Sequence, residues 1–195
     1  VTILKPSSST SLSVLELMKL IQNVVPKGVI NLITGKGSKS GEFLQHNTGL
    51  DKLAFTGSTE VGREIGLSAA QMIIPSTLEL GGKSANVFFK DADMKVALEG
   101  IQLGILFNQG QVCSAGSRIF VEESFYDEFM AHVIPAFQKV KVGNPLDMNT
   151  QMGAQVDERQ LKKILSYVEI GKQEGAKVAV GGARYTEGEA AKGCF

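Results

Sequence analysis

Residues 52–72 read KLAFTGSTEVGREIGLSAAQM. The mostly apolar run from Lys52 to Thr56 predicts a short β-strand, and Gly57-Ser58-Thr59 predicts a tight turn directly after it. From Glu60 to Met72, apolar residues recur at helical spacing and predict one buried helix face. These residues are Val61, Ile65 and Ala69. A strand, a glycine turn and a helix in this order form one βα unit of a parallel sheet.

The same order of elements recurs on both sides of residues 52–72. On the N-terminal side, strands are predicted at Val1–Leu4 and Val29–Thr34. The first is followed by a helix that runs through Ile21 and is ended by Pro26-Lys27-Gly28, and the second by a short helix at about Glu42–His46. On the C-terminal side, the predicted strands are Ser76–Leu80, Ala85–Phe89, Arg118–Glu122 and Val178–Val180, and the predicted helices are Met94–Phe107, Phe125–Val140 and Asp157–Glu174. This alternation predicts an α/β fold with a largely parallel sheet.

The composition is that of a soluble globular protein. The 195 residues are 43% hydrophobic, and 20 basic residues balance 20 acidic ones, so charge predicts neither nucleic acid nor membrane as a partner. No apolar run approaches the roughly 18 residues of a membrane span. Cys113 and Cys194 are accompanied by only two histidines, His46 and His132, and form no CxxC pair. This pattern predicts no disulfide framework and no metal site, and it favours a reducing, cytoplasmic location.

Two glycine-containing turns precede predicted helices and are candidate phosphate sites. Gly35–Gly41 has the loose spacing G-x-G-x-x-x-G, and Phe55–Gly62 repeats the arrangement with hydroxyls at Ser58 and Thr59. Glycines at such places let backbone amides approach a pyrophosphate at a helix N-terminus. Both stretches also fit simpler roles, the first as an ordinary βα turn and the second as a helix cap.

An acid in an otherwise apolar segment is the next candidate. Gly81–Ser84 resembles the end of a P-loop, but the glycine required five positions before Gly82 is Thr77, so the P-loop interpretation fails. Glu79 lies just before these glycines. Burial there would raise its pKa towards the range of a general base, and the alternative is an acid satisfied by a structural partner.

The loop Phe107–Arg118 is rich in glycine and amide side chains and carries the thiol of Cys113. An accessible cysteine among small residues is a candidate nucleophile, and the alternative is a half-buried free cysteine. A cysteine protease would need a paired histidine, and neither His46 nor His132 stands in a motif that favours this role.

Taken together, these stretches resemble the aldehyde dehydrogenase superfamily. Leu78–Ser84 resembles the family's glutamate signature and Phe107–Ser117 its cysteine signature, and their separation of 113 − 79 = 34 residues agrees with the family. Three further stretches follow in family order, so the resemblance covers essentially the whole chain. They are Leu4–Ser7, Phe55–Gly62 and Gly143–Pro145.

The resemblance implies parallel three-layer sheets of the aldehyde dehydrogenase type. Residues 1–79 resemble the C-terminal half of the Rossmann-like dinucleotide-binding domain, and residues 80–195 resemble the N-terminal half of the catalytic domain, with the boundary at the doubled glycine. Both domains would be incomplete. We therefore expect an internal fragment of an enzyme that forms a homodimer or homotetramer.

Carried over to this sequence, the resemblance makes Cys113 the nucleophile and Glu79 the general base. The thiolate of Cys113 would attack a small-molecule aldehyde, and Glu79 would activate the water that hydrolyses the resulting thioester. The implied reaction is the NAD(P)-dependent oxidation of an aldehyde to a carboxylic acid. Val112 and Ser114, which flank the thiol, would touch the substrate.

The resemblance also implies a site for NAD or NADP. Lys5 would reach the adenosine ribose, and Gly57 with Ser58 would contact the pyrophosphate. The full set of expected cofactor contacts is Lys5, Ser8, Gly37, Thr56, Gly57, Ser58, Val61, Leu80 and Gly81. Many NAD-preferring members carry glutamate at the position of Ser8. A serine hydroxyl can donate to a 2′-phosphate, so the sequence predicts that NADP is accepted as well as NAD.

Two other functions remain open at this point. The chain alone could be a catalytically inert segment with exposed strand edges. It could also be a cofactor-independent thiol esterase that uses Cys113 and Glu79, although the glycine turns before the helices would then have no role.

Overall fold

The computed structural model describes all residues, Val1–Phe195, and divides the chain into two compact units, Val1–Leu80 and Gly81–Phe195. Six strands are present: β1 (Thr2–Leu4), β2 (Ile30–Leu32), β3 (Leu53–Gly57), β4 (Ser76–Leu80), β5 (Ala85–Phe88) and β6 (Arg118–Val121). The six α-helices are α1 (Ser11–Ile21), α2 (Glu42–Gln45), α3 (Thr59–Met72), α4 (Met94–Leu106), α5 (Tyr126–Gln138) and α6 (Glu158–Gln173).

All three strand pairs are parallel, as the βα alternation predicts. β1 pairs with β2, β3 with β4, and β5 with β6, each as a separate two-stranded sheet. Each pair is joined by a crossover that contains a helix, which is the connection that parallel strands require. The predicted α/β class is confirmed, with sheets that are small.

The first unit has its core between the β3–β4 sheet and α3. Leu53 on β3 packs with Ile65 and Ala69 on α3, and half-buried apolar residues of both strands join this cluster. The helix begins where Ser58 accepts a hydrogen bond from the Val61 amide. It ends at Ile73, which adopts a left-handed conformation with φ of 56°. The predicted buried face is therefore confirmed at Ile65 and Ala69, whereas Val61 is exposed.

The second unit has an aromatic core between β5, β6 and two helices. Ile101 on α4 packs against Phe129 and Val133 on α5, with Phe125 beside them. The Phe129 ring lies 5.1 Å from Phe88 on β5 and 5.7 Å from Phe125, centroid to centroid. This packing fixes the positions of β5 and β6, and β6 begins directly after the loop that carries Cys113.

One predicted strand is wrong. Residues Val178–Val180 form no strand, and they lie between Gly175 and Gly181, both of which have positive φ angles. A three-residue apolar run becomes a strand only when a neighbouring strand supplies hydrogen bonds, and no strand pairs with this one. The first helix ends at Ile21, before the predicted stop at Pro26-Lys27-Gly28, and the other predicted strands and helices occur within a residue or two of their expected bounds. None of the helices combines the length and apolar character needed to cross a bilayer.

Candidate functional site

The carboxyl ends of β3 and β4 bring several predicted site residues together. In the parallel register, Thr56 lies opposite Glu79, and Gly57 lies opposite Leu80. Ser58 follows directly as the residue before α3. Ligands of α/β proteins bind at the carboxyl ends of parallel strands, so this end of the sheet is the candidate site of the first unit.

Glu79 is exposed, which corrects the expectation that its apolar neighbours bury it. Successive side chains of a strand point to opposite faces. Leu78 and Leu80 are half-buried on the face towards α3, and the tip of the Leu80 side chain lies against Gly62. Glu79 and Thr77 therefore lie on the opposite face, where the carboxylate is accessible to a ligand.

The turn before α3 caps the helix. The Ser58 hydroxyl oxygen accepts a hydrogen bond from the Val61 amide at 3.4 Å. The amides of the first turn have no partner within their own helix, and the helix dipole adds partial positive charge there. At Gly57 a Cβ atom would collide with the ring of Phe55. The turn thus combines a structural cap with backbone donors that suit a phosphate group.

Lys5 lies at the carboxyl end of the β1–β2 sheet, next to the glycine segment. Its Nζ donates to the carbonyl oxygens of Pro6, at 2.9 Å, and Gly35, at 3.4 Å. An ammonium group has three donors, so one remains for a ligand hydroxyl. Ser8 is exposed a few residues further along the chain.

The predicted phosphate turn Gly35–Gly41 offers fewer donors than the turn before α3. Residues Gly37–Gly41 form a single π-helical turn that runs into the four-residue helix α2. The amides of Lys39 and Ser40 already bond to the carbonyl of Lys36. Gly37 is exposed, and a Cβ atom added there would meet no other atom within 4 Å. A ligand can therefore approach its backbone closely.

Cys113 is an exposed free thiol on the loop that leads into β6. Local backbone bonds shape this loop, including Gln111 N–H to the Asn108 carbonyl at 3.0 Å and Ala115 N–H to the Val112 carbonyl at 3.1 Å. The backbone N–H of Cys113 itself has no intramolecular acceptor. The loop therefore presents both a thiol and a free amide donor.

A left-handed turn precedes the cysteine. Asn108 has φ 47° and ψ 40°, Gln109 has φ 55° and ψ 30°, and Gly110 has φ 74°. Glycine and asparagine tolerate this region, but a glutamine there costs on the order of 1–3 kcal/mol. We name residues 108–110 the left-handed turn.

Residues just after Glu79 in the chain pack against the cysteine loop. A Cβ atom at Gly82 would lie 3.4 Å from the Cys113 carbonyl oxygen, which is ordinary van der Waals contact. Arg118 donates from its Nε to the Lys83 carbonyl at 2.9 Å and from its backbone N–H to the Ser84 carbonyl at 3.2 Å. The two signature segments thus meet within the second unit.

The far end of the loop is held by Asn86 on β5. Its Nδ2 donates to the Gly116 carbonyl at 3.2 Å, and the Gly116 N–H donates to the Gly104 carbonyl on α4 at 3.0 Å. A Cβ atom at Gly116 would collide with the Asn86 amide. Asn86 and Arg118 contact the cysteine loop or the segment beside it. The sequence did not predict these contacts, because their partners are 30 and 35 residues away in the chain.

The second cysteine lies in a different environment. The Cys194 Sγ is 3.7 Å from Oε2 of Glu158. Burial raises the pKa of the Cys194 thiol, and the hydrogen bond and charge of Glu158 raise it further. A raised pKa leaves less thiolate near neutral pH, so Cys194 is the weaker nucleophile.

We expect iodoacetamide to label Cys113 well before Cys194 near neutral pH. As the pH rises through the raised pKa of Cys194, its thiolate fraction increases and the difference in labelling rate should narrow. Peptide mass spectrometry at timed intervals measures both rates. Equal labelling rates of the two thiols near neutral pH would contradict this prediction.

Two cavities of the structure do not contain the predicted catalytic residues. One, of about 530 Å³, is lined by Lys39, Glu42, Phe43, His46, Asn47 and Thr48. The other, of about 570 Å³, lies in the second unit next to Gly143 and Asn144. His132 bonds through Nδ1 to the Glu128 carbonyl of its own helix, at 2.9 Å, so nothing in its contacts favours a role as a partner of a thiol. No three acidic, histidine or cysteine side chains are grouped to hold a metal ion.

Comparisons with known proteins agree with the motifs. The aldehyde dehydrogenase family matches residues 1–195. Aldehyde dehydrogenase B of Escherichia coli (strain K12) is 50% identical over 200 residues, which cover 99% of this chain and 39% of that protein. The structure of betaine aldehyde dehydrogenase from Staphylococcus aureus in complex with NAD+ is 41% identical with a TM-score of 0.96, covering 99% of this chain and 39% of that one.

A mutant aldehyde dehydrogenase from Bacillus cereus is also similar in structure, with 43% identity and a TM-score of 0.91 over 95% of this chain and 38% of that one. The chain therefore belongs to the aldehyde dehydrogenase family. The resemblance indicated by the motifs is confirmed. The chain spans 39% of the length of the curated relative it matches.

Proposed function

We propose that the whole protein containing this sequence oxidises an aldehyde to a carboxylic acid with NAD or NADP, using Cys113 as nucleophile and Glu79 as general base. The observation that carries this proposal is the close approach of the Gly82 backbone to the cysteine loop, where a Cβ atom added to Gly82 would lie 3.4 Å from the Cys113 carbonyl oxygen. Glu79 precedes Gly82 by only 82 − 79 = 3 residues in the chain. An accessible carboxylate and an accessible thiol thus belong to segments that are linked by packing and by a short stretch of backbone.

The thiol and the carboxylate divide the chemistry between them. The Cys113 thiolate attacks the carbonyl carbon of the aldehyde and forms a thiohemiacetal. The turn before α3 and Lys5 would hold the nicotinamide cofactor, whose chemistry would be the two-electron oxidation of this adduct to a thioester. Glu79 then takes a proton from a water molecule, which attacks the thioester carbonyl and releases the acid and the thiolate.

The free backbone N–H of Cys113 has a role in both attacks. Each attack places negative charge on the carbonyl oxygen, and an amide aimed at that oxygen stabilises the charge. Because the Cys113 amide has no acceptor within the chain, it is available for this purpose. Removing one such donor commonly costs about 3 to 4 kcal/mol of transition-state stabilisation.

The first unit fits a dinucleotide. The turn before α3 combines free first-turn amides with the Ser58 cap, which suits a pyrophosphate, and Val61 is 37% exposed beside it for contact with an adenine ring. Lys5 retains a donor for a ribose hydroxyl. Thr56, Leu80 and Gly81 complete the proposed contacts at the end of the β3–β4 sheet, and Gly37 is proposed to line the same cofactor site.

We expect the whole protein to use NADP as well as NAD, because Ser8 places an exposed hydroxyl where many NAD-preferring relatives carry a carboxylate. A carboxylate repels a 2′-phosphate, and a hydroxyl with a nearby ammonium group can bind one. Steady-state kinetics with both cofactors measures this preference. The Ser8→Glu variant should shift it towards NAD. A preference of the unaltered protein for NAD above about a hundredfold, roughly 2.7 kcal/mol, would contradict the prediction.

The proposed function is tested by following absorbance of the reduced cofactor with a panel of aldehydes. Acetaldehyde, benzaldehyde and betaine aldehyde cover small, aromatic and cationic substrates. Oxidation that depends on both aldehyde and cofactor is the expected result. Ester hydrolysis that proceeds at full rate without cofactor, with no aldehyde oxidation, would favour the thiol esterase instead.

We also propose a cytoplasmic homodimer or homotetramer. Helix α1 has no buried residue and exposes Leu12, Leu17 and Leu20, which supports further contacts for this surface in the whole protein. Both cysteines are free, which is consistent with a reducing compartment. Light scattering of the whole protein measures the oligomeric state, and a monomer at micromolar concentration would contradict this part of the proposal.

A further inference from the structure

The conformation of the left-handed turn is not explained by its own sequence. Gly110 favours positive φ and Asn108 tolerates it, but Gln109 gains nothing from it locally. The local bonds, from Gln111 N–H to the Asn108 carbonyl and from Asn108 Nδ2 to the Gln111 carbonyl, join the residues on either side of Gln109. These bonds close the turn but do not involve Gln109 itself, so a contact to Gln109 from outside the turn would favour its conformation further.

Gln155 supplies that contact. Its Nε2 donates a long hydrogen bond of 3.4 Å to the Gln109 carbonyl, across 46 residues of sequence. The backbone N–H of Gln155 donates to the Cys194 carbonyl at 2.8 Å, and this bond holds the Gln155 backbone from which the side-chain donor extends. Two residues earlier, a Cβ at the buried Gly153 would lie 3.3 Å from Nε2 of Gln109. The segment 153–155 therefore contacts both the backbone and the side chain of Gln109.

The other end of the Gln155 amide has no partner. Its Oε1 is buried and accepts no hydrogen bond. A buried acceptor without a donor costs free energy, so an apolar side chain of similar length would serve stability as well. Glutamine differs from such a side chain in having an amide N–H donor, and this donor is the group that bonds to the Gln109 carbonyl.

We propose that Gln155 is a positioning residue: through the Gln109 carbonyl it holds the left-handed turn, and so fixes the backbone N–H of Cys113 three residues further on. This inference rests on the proposed function, in which that N–H stabilises the oxyanion formed when the thiolate attacks a carbonyl group. Gln155 itself touches neither substrate nor cofactor in this account.

The experiment compares two reactions of the same thiol. In acylation by p-nitrophenyl acetate, the thiolate adds to the ester carbonyl, p-nitrophenolate leaves, and the acetyl group remains on sulfur. This reaction passes through an oxyanion. In alkylation by iodoacetamide, sulfur displaces iodide and no oxyanion forms. A loss of amide positioning should therefore slow acylation and leave alkylation nearly unchanged.

The variants are made in a Cys194→Ser background of the whole protein, so that Cys113 is the one thiol within these 195 residues, and modification is read on the peptide that contains Cys113. Gln155→Met removes both amide groups at similar length, and Gln155→Glu removes the donor but keeps the acceptor. Gln173→Met is the matched control, because Gln173 is exposed at the end of α6. Amide hydrogen exchange, read at Gln111 and Ala115 and at the strands β5 and β6, reports the loop separately from the rest of the unit.

For Gln155→Met we expect about tenfold faster exchange at Gln111 and Ala115, unchanged exchange in β5 and β6, and an acylation-to-alkylation ratio about tenfold lower. Gln155→Glu should behave in the same way, and Gln173→Met should match the parent.

Unchanged loop exchange in both Gln155 variants would overturn the inference, as would an unchanged ratio in protein that is acylated at Cys113. Unfolding of both variants would also overturn it, since Gln155 would then be a residue of general stability. If the parent protein is not acylated at Cys113, the proposed function fails at its thioester step, and the exchange data still decide the role of Gln155.

Discussion

Cys113→Ala should abolish aldehyde oxidation in the whole protein, with a loss of at least about 10⁴-fold in kcat, because the proposed nucleophile of the covalent adduct is removed. The substitution replaces the –CH2SH side chain by a methyl group and should leave the rest of the structure unchanged. Cys113 is exposed, so its truncation leaves no cavity in a packed core. Cofactor binding should remain, since none of the proposed cofactor contacts is Cys113 or a residue of its loop. Steady-state kinetics and fluorescence titration with the reduced cofactor measure the two effects.

Cys194→Ser is the matched control for the loss of a thiol. Its sulfur bonds to Glu158 rather than to a group of the proposed site, and burial raises its pKa, so it should not act as a nucleophile near neutral pH. We expect close to full activity. If Cys113→Ala keeps more than about a tenth of the activity, or Cys194→Ser loses most of it, the nucleophile is assigned to the wrong residue.

Glu79→Gln should slow hydrolysis of the thioester by about 10² to 10⁴-fold, which is the usual contribution of a general base. An amide keeps the shape of the side chain but cannot accept the proton of the attacking water. Because adduct formation and oxidation precede this step, a rapid first turnover should remain. Rapid-mixing absorbance of the reduced cofactor should therefore show a burst of about one equivalent followed by a slow steady rate.

Glu64→Gln controls for removal of a negative charge from the same unit, since Glu64 is exposed on α3 away from the end of the β3–β4 sheet. It should show neither the burst nor the slow rate. A Glu79→Gln variant that turns over as fast as the unaltered protein would remove Glu79 from the mechanism. If both the burst and the steady rate were lost, Glu79 would instead act in a step before oxidation, such as activation of the Cys113 thiol.

Local signals in the sequence predicted most of the fold. The turn before α3 was predictable because a glycine, a capping hydroxyl and an apolar helix face lie within a few residues of each other. The structure contains that cap, with Ser58 bonded to the Val61 amide. The strand prediction at Val178–Val180 was wrong because a strand forms only beside a partner strand, and the presence of a partner cannot be read from these three residues.

The candidate site was predictable in its residue types and less so in its environment. The apolar neighbours of Glu79 suggested burial, but in a strand they occupy the opposite face, so the carboxylate is exposed. The bonds of Asn86 to Gly116 and of Gln155 to Gln109 span 30 and 46 residues, respectively. Nothing near these amides in the sequence marks them, because their partners are backbone carbonyls created by the folded loop. The positive φ of Gln109 is likewise not marked by its residue type, since glutamine has no preference for that region.

The central claim is that the sulfur of Cys113 carries the substrate as a thioester that Glu79 releases. The most direct measurement uses the Glu79→Gln form of the whole protein, mixed with acetaldehyde and NAD, quenched in acid and mapped by peptide mass spectrometry. The account predicts an acetyl group on the peptide that contains Cys113, formed only when aldehyde and cofactor are both present. An acetyl group on Cys194 instead, or a Cys113 peptide that stays unmodified while acid is produced, would contradict it.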